Sequence, residues 1–325
     1  MKVVIKNSLF LDRRNDIDLI ALIRHGKSGK HRIIPEKISS LEFLNFIDRL
    51  PSHMSDVVKN IISSSAKFDN LEPSSIIVGV KASGQPEWNK RVPLLPINDA
   101  ISYLSQPFRI LVENSRNDRA FLLTMATEQQ RKFLEKYESL NFIEFQNGGG
   151  VAELLEILRE YTTRDEWLVK TTWVLIDSDS LEPGEISPKS KEVCDKCSQD
   201  GVKFHALERR SIENYLPHSA IRASTDRKYG KPHQKFIAFK SLSPQQQNHY
   251  NMKGGFRADR AIADRNAGLL FHRVPGDVLR ELDTGFGKYI GAPFRARIIS
   301  DKDIDRHGGR DELKPVVDTL ISLIR

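Results

Sequence analysis

The middle third of the chain alternates short apolar runs with longer segments whose apolar residues recur at helical spacing. The runs predict strands at 108–114, 141–146, 173–177 and 202–208, and the periodic segments predict helices at 118–137, 151–161 and 188–201. Strands and helices that alternate in this way are typical of βαβ units. We therefore expect an α/β fold with a mostly parallel, Rossmann-like sheet flanked by helices.

The pattern differs on either side of this alternation. Residues 1–105 carry strand-like runs and amphipathic stretches, which predict an α+β N-terminal domain to which the sequence assigns no role. The strand-like runs are 1–10, 17–25 and 74–80, and the helix-like stretches are 39–50 and 54–68. Residues 219–325 predict a basic, mostly helical region with a loop at 243–257 and a closing helix at 311–325. The expected division is therefore 1–105, 106–218 and 219–325.

The composition, with 39% hydrophobic and 29% charged residues, is that of a globular protein. No apolar run approaches the roughly 20 residues needed to cross a bilayer, and MKVVIKNSLF at the N-terminus is too interrupted by lysine for a signal peptide. The sequence therefore predicts a cytoplasmic protein without a membrane partner. Cys194 and Cys197 form its single CxxC, which predicts two ordinary thiols because a structural zinc site needs four ligands.

The positive charge of the chain is concentrated in one segment. The formal net charge is +7, and between residues 221 and 273 eleven Lys or Arg oppose three Asp, a local excess of +8. A basic field of this size suits a polyanion such as nucleic acid. The same charges would also suit a solvated helical surface, so charge alone leaves both interpretations open.

Acidic residues follow three of the predicted strands. These residues are Glu113, Asp177, Asp179 and Glu208, and Asp118 and Glu213 lie a few positions further on. Because the carboxyl ends of parallel strands meet at one edge of a sheet, we expect the side chains to converge there. Carboxylates held so close repel one another unless a cation lies between them, and Mg²⁺ prefers oxygen ligands. A single DxD would be an ordinary polar turn, whereas the ordered set predicts a metal site.

Three motifs on these strands carry a resemblance to a known family. They are LVENSRND (111–118), VLIDSDS (174–180) and LERRSIENYLP (207–217). Together they resemble the TOPRIM domain, in the version found in the overcoming-lysogenization-defect (OLD) family of nucleases. TOPRIM domains place a glutamate after their first strand and a DxD after their third, and they use magnesium to cut, join or polymerise nucleic acid. The resemblance covers about residues 106–218. It departs at Asn114, where the family often has glycine, and in the spacing of Glu113 and Asp118, which is five rather than four.

The resemblance implies phosphodiester hydrolysis of DNA or RNA with one or two Mg²⁺ or Mn²⁺ ions. The implied ligands are Glu113, Asp118, Asp177, Asp179, Glu208 and Glu213, and the implied catalytic residues are Glu113, Asp177, Asp179 and Glu213. Asp177 would be shared between two ions, with Glu113 on one and Asp179 on the other. Glu213 or Glu208 would complete the second ion or act as the general base.

Basic residues near and within the C-terminal region would then bind the substrate. Lys231, Lys235 and Lys253 are equivalent candidates for neutralising the charge that builds on the phosphate. A wider set would bind the nucleic-acid backbone without reading its sequence. That set is Arg209, Arg210, Lys231, Lys235, Lys253 and Arg257.

OLD proteins also carry an ATPase domain, for which this sequence has no phosphate-binding loop. RHGKSGKH (24–31) comes nearest, but Ala21 stands where the first glycine of GxxxxGK[ST] is required. The resemblance therefore implies that any ATPase is a separate partner. It also implies that the chain is the effector of a multi-component anti-phage defence system.

Other classes of protein remain open at this point. The DxD at Asp177 and Asp179 is similar to that of haloacid-dehalogenase-type phosphatases, which have threonine where this chain has Leu181. It is also similar to the DxD of metal-dependent glycosyltransferases, which does not account for Glu113. A TOPRIM-like domain that binds nucleic acid or a partner protein without catalysis is the main alternative. The metal-dependent nuclease accounts for all three motifs.

Overall fold

The structure is a computed structural model that describes residues 1–71, 76–229, 234–262 and 270–325. Its strands are β1 (Lys2–Ile5), β2 (Arg32–Pro35), β3 (Ile77–Lys81), β4 (Leu94–Pro96), β5 (Phe108–Val112), β6 (Ile143–Asn147), β7 (Thr172–Ile176) and β8 (Lys203–Ala206). Its helices are α1 (Asp16–Arg24), α2 (Leu41–Asp48), α3 (Ser52–Leu71), α4 (Ile97–Ser105), α5 (Ser115–Met125), α6 (Glu128–Ser139), α7 (Val151–Arg164), α8 (Glu166–Lys170), α9 (Pro188–Asp200), α10 (His218–Tyr229), α11 (Gln234–Ser241), α12 (Pro244–His249), α13 (Gly255–Ile262), α14 (Gly276–Glu281), α15 (Ala292–Ala296), α16 (Asp301–His307) and α17 (Gly309–Ile324). Short 3₁₀ helices occupy Asn7–Phe10, Arg13–Asn15 and Ile212–Tyr215.

The chain forms two compact units. The first comprises residues 1–108, 137–144 and 319–325, and the second comprises 109–136 and 145–318. Most of the predicted central segment and most of the predicted basic segment therefore belong to the same unit.

The first unit contains a four-stranded sheet in the order β2-β1-β3-β4. All three strand pairs are parallel, with Val3 opposite both Ile33 and Val78. Helices connect β1 to β2 and β2 to β3, and a segment of 12 residues without a helix connects the parallel strands β3 and β4. The N-terminal region is therefore α/β, and the expectation of an α+β domain is wrong.

Residues 17–25 form most of helix α1 rather than the predicted strand. Leu19, Leu22 and Ile23 are buried, whereas Ile17 is 80% exposed. This three-to-four spacing belongs to a helix, but the nearly continuous apolar run IDLIALI conceals it. The strand beside β1 is instead β2, in the short stretch RIIP.

The second sheet has the order β6-β5-β7-β8 and confirms the predicted α/β alternation. Strand β7 lies between β5 and β8, runs parallel to both, and is buried at all five positions. Helices α7 and α9 cover one face, where Leu158 and Val193 pack against Leu111 and Val174. Each such side chain contributes roughly 1.5–3 kcal/mol when fully buried. This packing holds β5, β7 and β8 in register, so that their carboxyl ends lie side by side at one edge of the sheet.

The two cysteines belong to that core. Cys194 and Cys197 are free, buried thiols on α9. Burial raises the pKa of Cys197 to about 12 and also raises that of Cys194. A thiol with a raised pKa is a weak nucleophile at neutral pH, so both residues act as small apolar side chains.

Two further element predictions are wrong. The stretch 118–137 contains parts of two helices, because α5 ends before Ala126, which has extended backbone angles. The predicted loop at 243–257 contains helix α12 and the start of α13. Ser243 starts α12 through a capping box with Gln246, a signal that the sequence carried and the loop-like composition obscured.

Among the helices that the structure describes, none combines the length and apolar character needed to span a membrane.

Candidate active site

Glu113 lies directly after β5, whose last residue, Val112, is in register with Leu175 of β7. The Glu113 carbonyl accepts a hydrogen bond from the Gly150 N–H at 3.3 Å. Gly150 has a φ of 106°, and a Cβ on Gly148 would lie 3.0 Å from the Val112 carbonyl oxygen. The glycines at 148–150 therefore allow the turn between β6 and α7 to approach the end of β5 closely.

Asp118 lies in the first turn of α5, and its side chain is folded back toward the end of β5. Asn114 caps this helix by accepting a hydrogen bond from the Asn117 N–H at 3.1 Å. The Asn114 N–H itself donates to Asp118 Oδ2 at 2.8 Å, and Asp118 is only 8% exposed. The five-residue spacing from Glu113 therefore does not carry Asp118 away from the other carboxylates.

The loop after β7 brings Asp177 and Asp179 to the same edge. The Asp177 N–H donates to Glu113 Oε1 at 3.3 Å, and Asp177 Oδ1 accepts a hydrogen bond from the Ile212 N–H at 3.2 Å. Asp179 has a left-handed φ of 48°, and its N–H donates to the Arg210 carbonyl at 2.8 Å. Aspartate tolerates this conformation better than most residues, and such strained positions concentrate at functional sites.

The serines of the DSDS loop hold it in place. Ser178 Oγ donates to the Arg209 carbonyl at 2.9 Å, and Ser180 Oγ donates to the Glu182 carbonyl at 2.9 Å. Ser180 Oγ also lies 2.9 Å from His249 Nδ1. Both serines are buried. The alternation in DSDS thus divides two tasks, because the serines fix the backbone and the aspartates supply the charge.

Glu213 approaches the cluster from the 3₁₀ helix Ile212–Tyr215. Its side chain is 1% exposed, and its Oε1 lies 3.0 Å from Lys253 Nζ. Its Oε2 is buried and has no hydrogen-bond partner among the described residues, an arrangement that costs free energy. Gly291 lies against this side chain, since a Cβ there would be 3.1 Å from Glu213 Oε1.

Lys253 supplies the positive charge at this edge and is held there by its backbone. The Phe286 N–H donates to the Met252 carbonyl at 2.8 Å, and the Gly287 N–H donates to the Lys253 carbonyl at 3.1 Å. A Cβ on Gly285 would lie 2.7 Å from the Lys253 carbonyl oxygen. Only glycine permits this close approach of two backbone segments. The Lys253 side chain is about half exposed.

Burial and mutual repulsion raise the pKa values of four carboxyl groups, those of Glu113, Asp118, Asp177 and, with burial as its largest cause, Asp179. Burial is the larger cause for Glu113, whose pKa rises to about 7, and nearby carboxylates add to it. Burial likewise raises the pKa of Asp118 to about 6, with a further contribution from Glu213. Burial, followed by Glu113 and Glu213, raises the pKa of Asp177 well above its ordinary value. Clustered groups with such shifts are typical of functional sites.

Lys253 interacts favourably with every carboxylate of the cluster. Its charge lowers the pKa values of Glu113, Asp118 and Asp177, which burial raises. Although burial alone would lower it, the pKa of Lys253 itself is raised by Glu213 and Asp177. The ammonium group therefore acts as the counter-ion of the site. From here we call Glu113, Asp118, Asp177, Asp179 and Glu213 the acidic cluster.

The acidic cluster fits a divalent cation in donor type. Carboxylate oxygens are the ligands that Mg²⁺ and Mn²⁺ prefer, and Glu213 Oε2 is a buried oxygen without a partner in the described chain. Across the described ranges, no group of three or more His, Cys, Asp or Glu side chains is arranged to hold a metal ion. Binding an ion would therefore require the carboxylates to draw together and the Lys253 ammonium to move aside.

Glu208 does not join the acidic cluster. Its side chain is exposed, and its backbone N–H donates to Glu312 Oε1 at 3.0 Å. The same carboxylate lies 2.7 Å from His205 Nε2 and accepts a hydrogen bond from the Tyr215 hydroxyl. Glu312 therefore organises the end of β8, and Glu213 is the acidic residue of this motif that reaches the site.

Arg209 and Arg210 both have partners within the protein, and their role in binding nucleic acid stays a prediction. Arg209 donates to the carbonyls of Asn214 at 3.0 Å and His307 at 3.1 Å, and it lies over the Tyr215 ring. Arg210 is 6% exposed and makes a two-pronged ion pair with Asp259 at 2.7 and 2.8 Å. Both guanidinium groups therefore hold the loops around the acidic cluster.

The structure distinguishes two of the three candidate lysines. Lys253 is the one that contacts the acidic cluster. Lys235 donates to Thr284 and to the Gly285 carbonyl and lines a cavity of about 410 Å³. Lys231 lies outside the described residues. Arg257, from the wider basic set, pairs with Asp283 at the surface.

Several residues of the site escaped the sequence pattern. Asp259 is 49 positions from Arg210, and no local signal joins the two. Gly285 and Gly291 matter because of what approaches them, although the glycine-rich stretch GFGKYIG (285–291) could have marked a close backbone contact.

No protein-family model, curated protein or solved structure matches this chain. The interpretation of the site therefore depends on its geometry and on the three motifs.

Proposed function

We propose that this chain is a metal-dependent nuclease with a TOPRIM-type acidic cluster. The observation that carries the proposal is the convergence of carboxylates from three places in the chain onto one edge of a parallel sheet. The pKa values of Glu113, Asp118 and Asp177 are raised, and one buried carboxylate oxygen, Glu213 Oε2, lacks a partner among the described residues. A core built for stability alone would avoid this arrangement, because uncompensated buried charge is costly. It becomes favourable when a cation joins the carboxylates.

The acidic cluster would hold one or two Mg²⁺ or Mn²⁺ ions. When bound, such ions lower the pKa of a water molecule and stabilise charge on the reacting phosphate. Asp177 is central, since its backbone N–H contacts Glu113 and the Ile212 N–H orients its carboxylate. Glu113, Asp118 and Asp179 surround it. Glu213 Oε2 has no competing partner in the described chain and is the acceptor suited to take a proton from an attacking water.

Lys253 would serve the substrate as well as the free protein. Its ammonium group contacts Glu213 and its side chain is about half exposed, so it can turn toward an incoming phosphate without leaving the site. A cation at this position would offset the negative charge that builds on the phosphate in the transition state. Of the candidate lysines that the structure describes, Lys253 is the one whose position supports this role.

The proposed substrate is DNA or RNA, supported by the resemblance to OLD-type nucleases and by the basic segment at 221–273. The same resemblance supports a separate ATPase as partner and a role as effector in anti-phage defence. Both extensions depend on the nuclease activity.

A second candidate is a TOPRIM-like module that binds nucleic acid or a partner protein without catalysis. One observation favours it: Lys253 already compensates the acidic cluster, and no three of its carboxylates are positioned for one ion in the described chain. This candidate predicts that Asp177→Asn leaves function intact.

Cleavage assays on plasmid DNA, single-stranded DNA and transfer RNA, with Mg²⁺, with Mn²⁺ and with chelator, test the proposal. We expect cutting that requires the metal and that falls by about two to three orders of magnitude in Asp177→Asn, the scale of one preorganised electrostatic contact. The matched control is Glu36→Gln, which changes an exposed carboxylate after strand β2 and should leave cutting unchanged.

Binding of Mn²⁺, followed by its paramagnetic signal, separates the two candidates without depending on cleavage. The nuclease requires that Mn²⁺ binds the wild type and that Asp177→Asn weakens this binding. Equal signals for the wild type and the variant, together with no cutting of any substrate, would favour the non-catalytic module.

A further inference from the structure

A cleft of about 170 Å³ lies in the second unit between α5 and the segment 294–299. Five of its ten lining residues are arginines, and none of the ten is acidic. The arginines are Arg116, Arg119, Arg131, Arg295 and Arg297. The floor is apolar and is formed by Leu123, Phe294 and Ile299. We call this site the arginine cleft.

Two carboxylates outside the lining moderate the positive charge of the arginine cleft. Arg131 lies 3.2 Å from Asp301, and Arg297 lies 2.7 Å from Glu135. Arg131 is also anchored by hydrogen bonds to the carbonyls of Leu123 and Ala126 at the end of α5. The ten lining residues themselves carry five positive charges and no negative one at a concave surface, where potentials are strongest.

The arginine cleft and the acidic cluster share two structural elements. Helix α5 presents Asp118 to the cluster, whereas Arg116 and Arg119 are 160° and 100° away around the same helix at about 100° per residue. Helix α15 begins immediately after Gly291, which lies against Glu213, and its Phe294 and Arg295 line the arginine cleft. The two sites are therefore separated by about the diameter of one helix, roughly 10 Å.

That separation matches a few nucleotides along a strand, at about 3.4 Å per nucleotide of duplex. The guanidinium group presents a planar fork of donors that fits phosphate oxygens, and sequence-independent binding depends on such contacts. An apolar floor beneath the arginines suits the sugar and base attached to those phosphates. Arg297 has a left-handed φ of 52° at the end of α15, where glycine is the usual residue, and this conformation carries its side chain to the cleft.

We propose that the arginine cleft binds backbone phosphates of the nucleic-acid strand whose scissile phosphate lies at the acidic cluster. This inference rests on the proposed nuclease function and adds to it the site that holds the flanking part of the substrate. The recognised chemistry is a phosphate group on a flexible chain. A free nucleotide or polyphosphate would offer the same chemistry, and the test separates these two sources.

The test measures binding in an Asp177→Asn background, so that cutting cannot consume the probe. Fluorescein-labelled single-stranded and duplex oligonucleotides are titrated with this protein at several salt concentrations. Adding Arg116→Gln and Arg295→Gln is expected to weaken binding about tenfold and to reduce the slope of log affinity against log salt by roughly two. Matched controls are Arg159→Gln and Arg280→Gln, which remove the same charge at exposed positions on α7 and α14 and should change neither quantity.

An unchanged affinity and salt slope in the Arg116 and Arg295 variant would overturn the inference. The inference would also be overturned if the cleft bound free ATP or tripolyphosphate and the Arg116 and Arg295 substitutions left the affinity for oligonucleotides unchanged. If the wild-type protein cuts in a metal-dependent manner and the cleft substitutions do not change oligonucleotide binding, the nuclease proposal is supported and the cleft proposal is not. If the cleft substitutions weaken oligonucleotide binding but no preparation cuts any substrate, the cleft is supported as a binding site and the nuclease proposal is not.

Discussion

The two sheets have equivalent strand orders, but the charges at their carboxyl edges are arranged differently. In the first sheet, Lys6 follows β1 and pairs with Glu36, which follows β2, while Lys81 at the end of β3 pairs with Glu87. Hydrogen bonds from these lysines lower the pKa of Glu36 and bring that of Glu87 to about 2. In the second sheet, the corresponding edge gathers five carboxylates around one lysine.

The difference shows that parallel topology supplies a place for a site but not the chemistry. At the first edge Glu36 pairs with Lys6 and Glu87 pairs with both Lys81 and Lys90, and such solvent-accessible ion pairs contribute little to stability. At the second edge the carboxylates share Lys253, and the pKa of Glu113 rises to about 7. An edge with one counter-ion for several acids has capacity for another cation. The predictions below test this contrast.

The largest effect is expected on stability. Asp259→Asn removes the partner of the buried Arg210 and should lower the free energy of unfolding by about 3–5 kcal/mol, because a buried charge is left uncompensated. The comparison in the first unit is Asp16→Asn, which breaks the more exposed pair with Arg49 and should cost about 1 kcal/mol. Urea unfolding of both variants measures the two values. Replacing both residues, as Arg210→Met with Asp259→Leu, should recover much of the loss, and equal losses in the single and double variants would count against the argument.

The two edges should respond to pH in opposite directions. Glu113 has a pKa of about 7 in the folded state against an ordinary value of 4.5, so between these pH values the folded state binds more protons than the unfolded state. The free energy of unfolding therefore falls as pH rises from 4.5 to 7, by up to about 3 kcal/mol. Glu87 has a folded pKa of about 2, so its contribution is present above 4.5 and is lost as pH falls toward 2. The urea midpoint should fall less steeply between pH 4.5 and 7 in Glu113→Gln, with the remaining slope due to Asp118 and Asp177, and less steeply below pH 4.5 in Glu87→Gln. Affinity for Mn²⁺ should rise with pH between about 6 and 7, because protons must leave first.

Lys253→Met removes the counter-ion that the second edge shares. We expect cutting to fall about tenfold, because the ammonium no longer offsets charge on the phosphate, while Mn²⁺ binding is not weakened, because a competing cation is gone. Cleavage rates and Mn²⁺ titrations of the same preparations provide the two measurements. Lys240→Met, at an exposed position on α11, is the matched control. Weaker Mn²⁺ binding together with normal cutting would reverse the assigned role.

The smallest effect is expected from one added methyl group. Gly291→Ala would place a Cβ 3.1 Å from Glu213 Oε1, so this buried carboxylate must shift by a few tenths of an ångström. Cutting should fall about threefold, with stability changed by less than about 1 kcal/mol. Gly276→Ala, where a Cβ meets nothing within 4 Å, should be silent in both measurements. A silent Gly291→Ala would mean that Glu213 need not be held closely.

Most of the second sheet could be predicted from the sequence, because its strands are short apolar runs separated by segments with a clear helical pattern. The predicted bounds of β7 differ from the observed ones by one residue. The first sheet was harder, since α1 is an almost continuous apolar run and β4 is three residues long within a proline-rich stretch. At the site, the acidic residues could be predicted because strand order brings them together. The cations could not be assigned, because charge along the sequence does not reveal that Arg210 pairs with a buried Asp259 while Lys253 reaches Glu213.

The backbone contact between Met252–Lys253 and Phe286–Gly287 has one further consequence. Two backbone hydrogen bonds join these two segments, and Gly285, which has no side chain, allows them to lie in direct contact. A shift of one segment would therefore require a shift of the other. Gly291 and the start of α15 follow within a few residues. The segment that leads into Gly291 and α15 therefore sets the position of the Lys253 backbone, so a substitution in 285–287 would move the base of the lysine side chain as well as the segment beside Glu213.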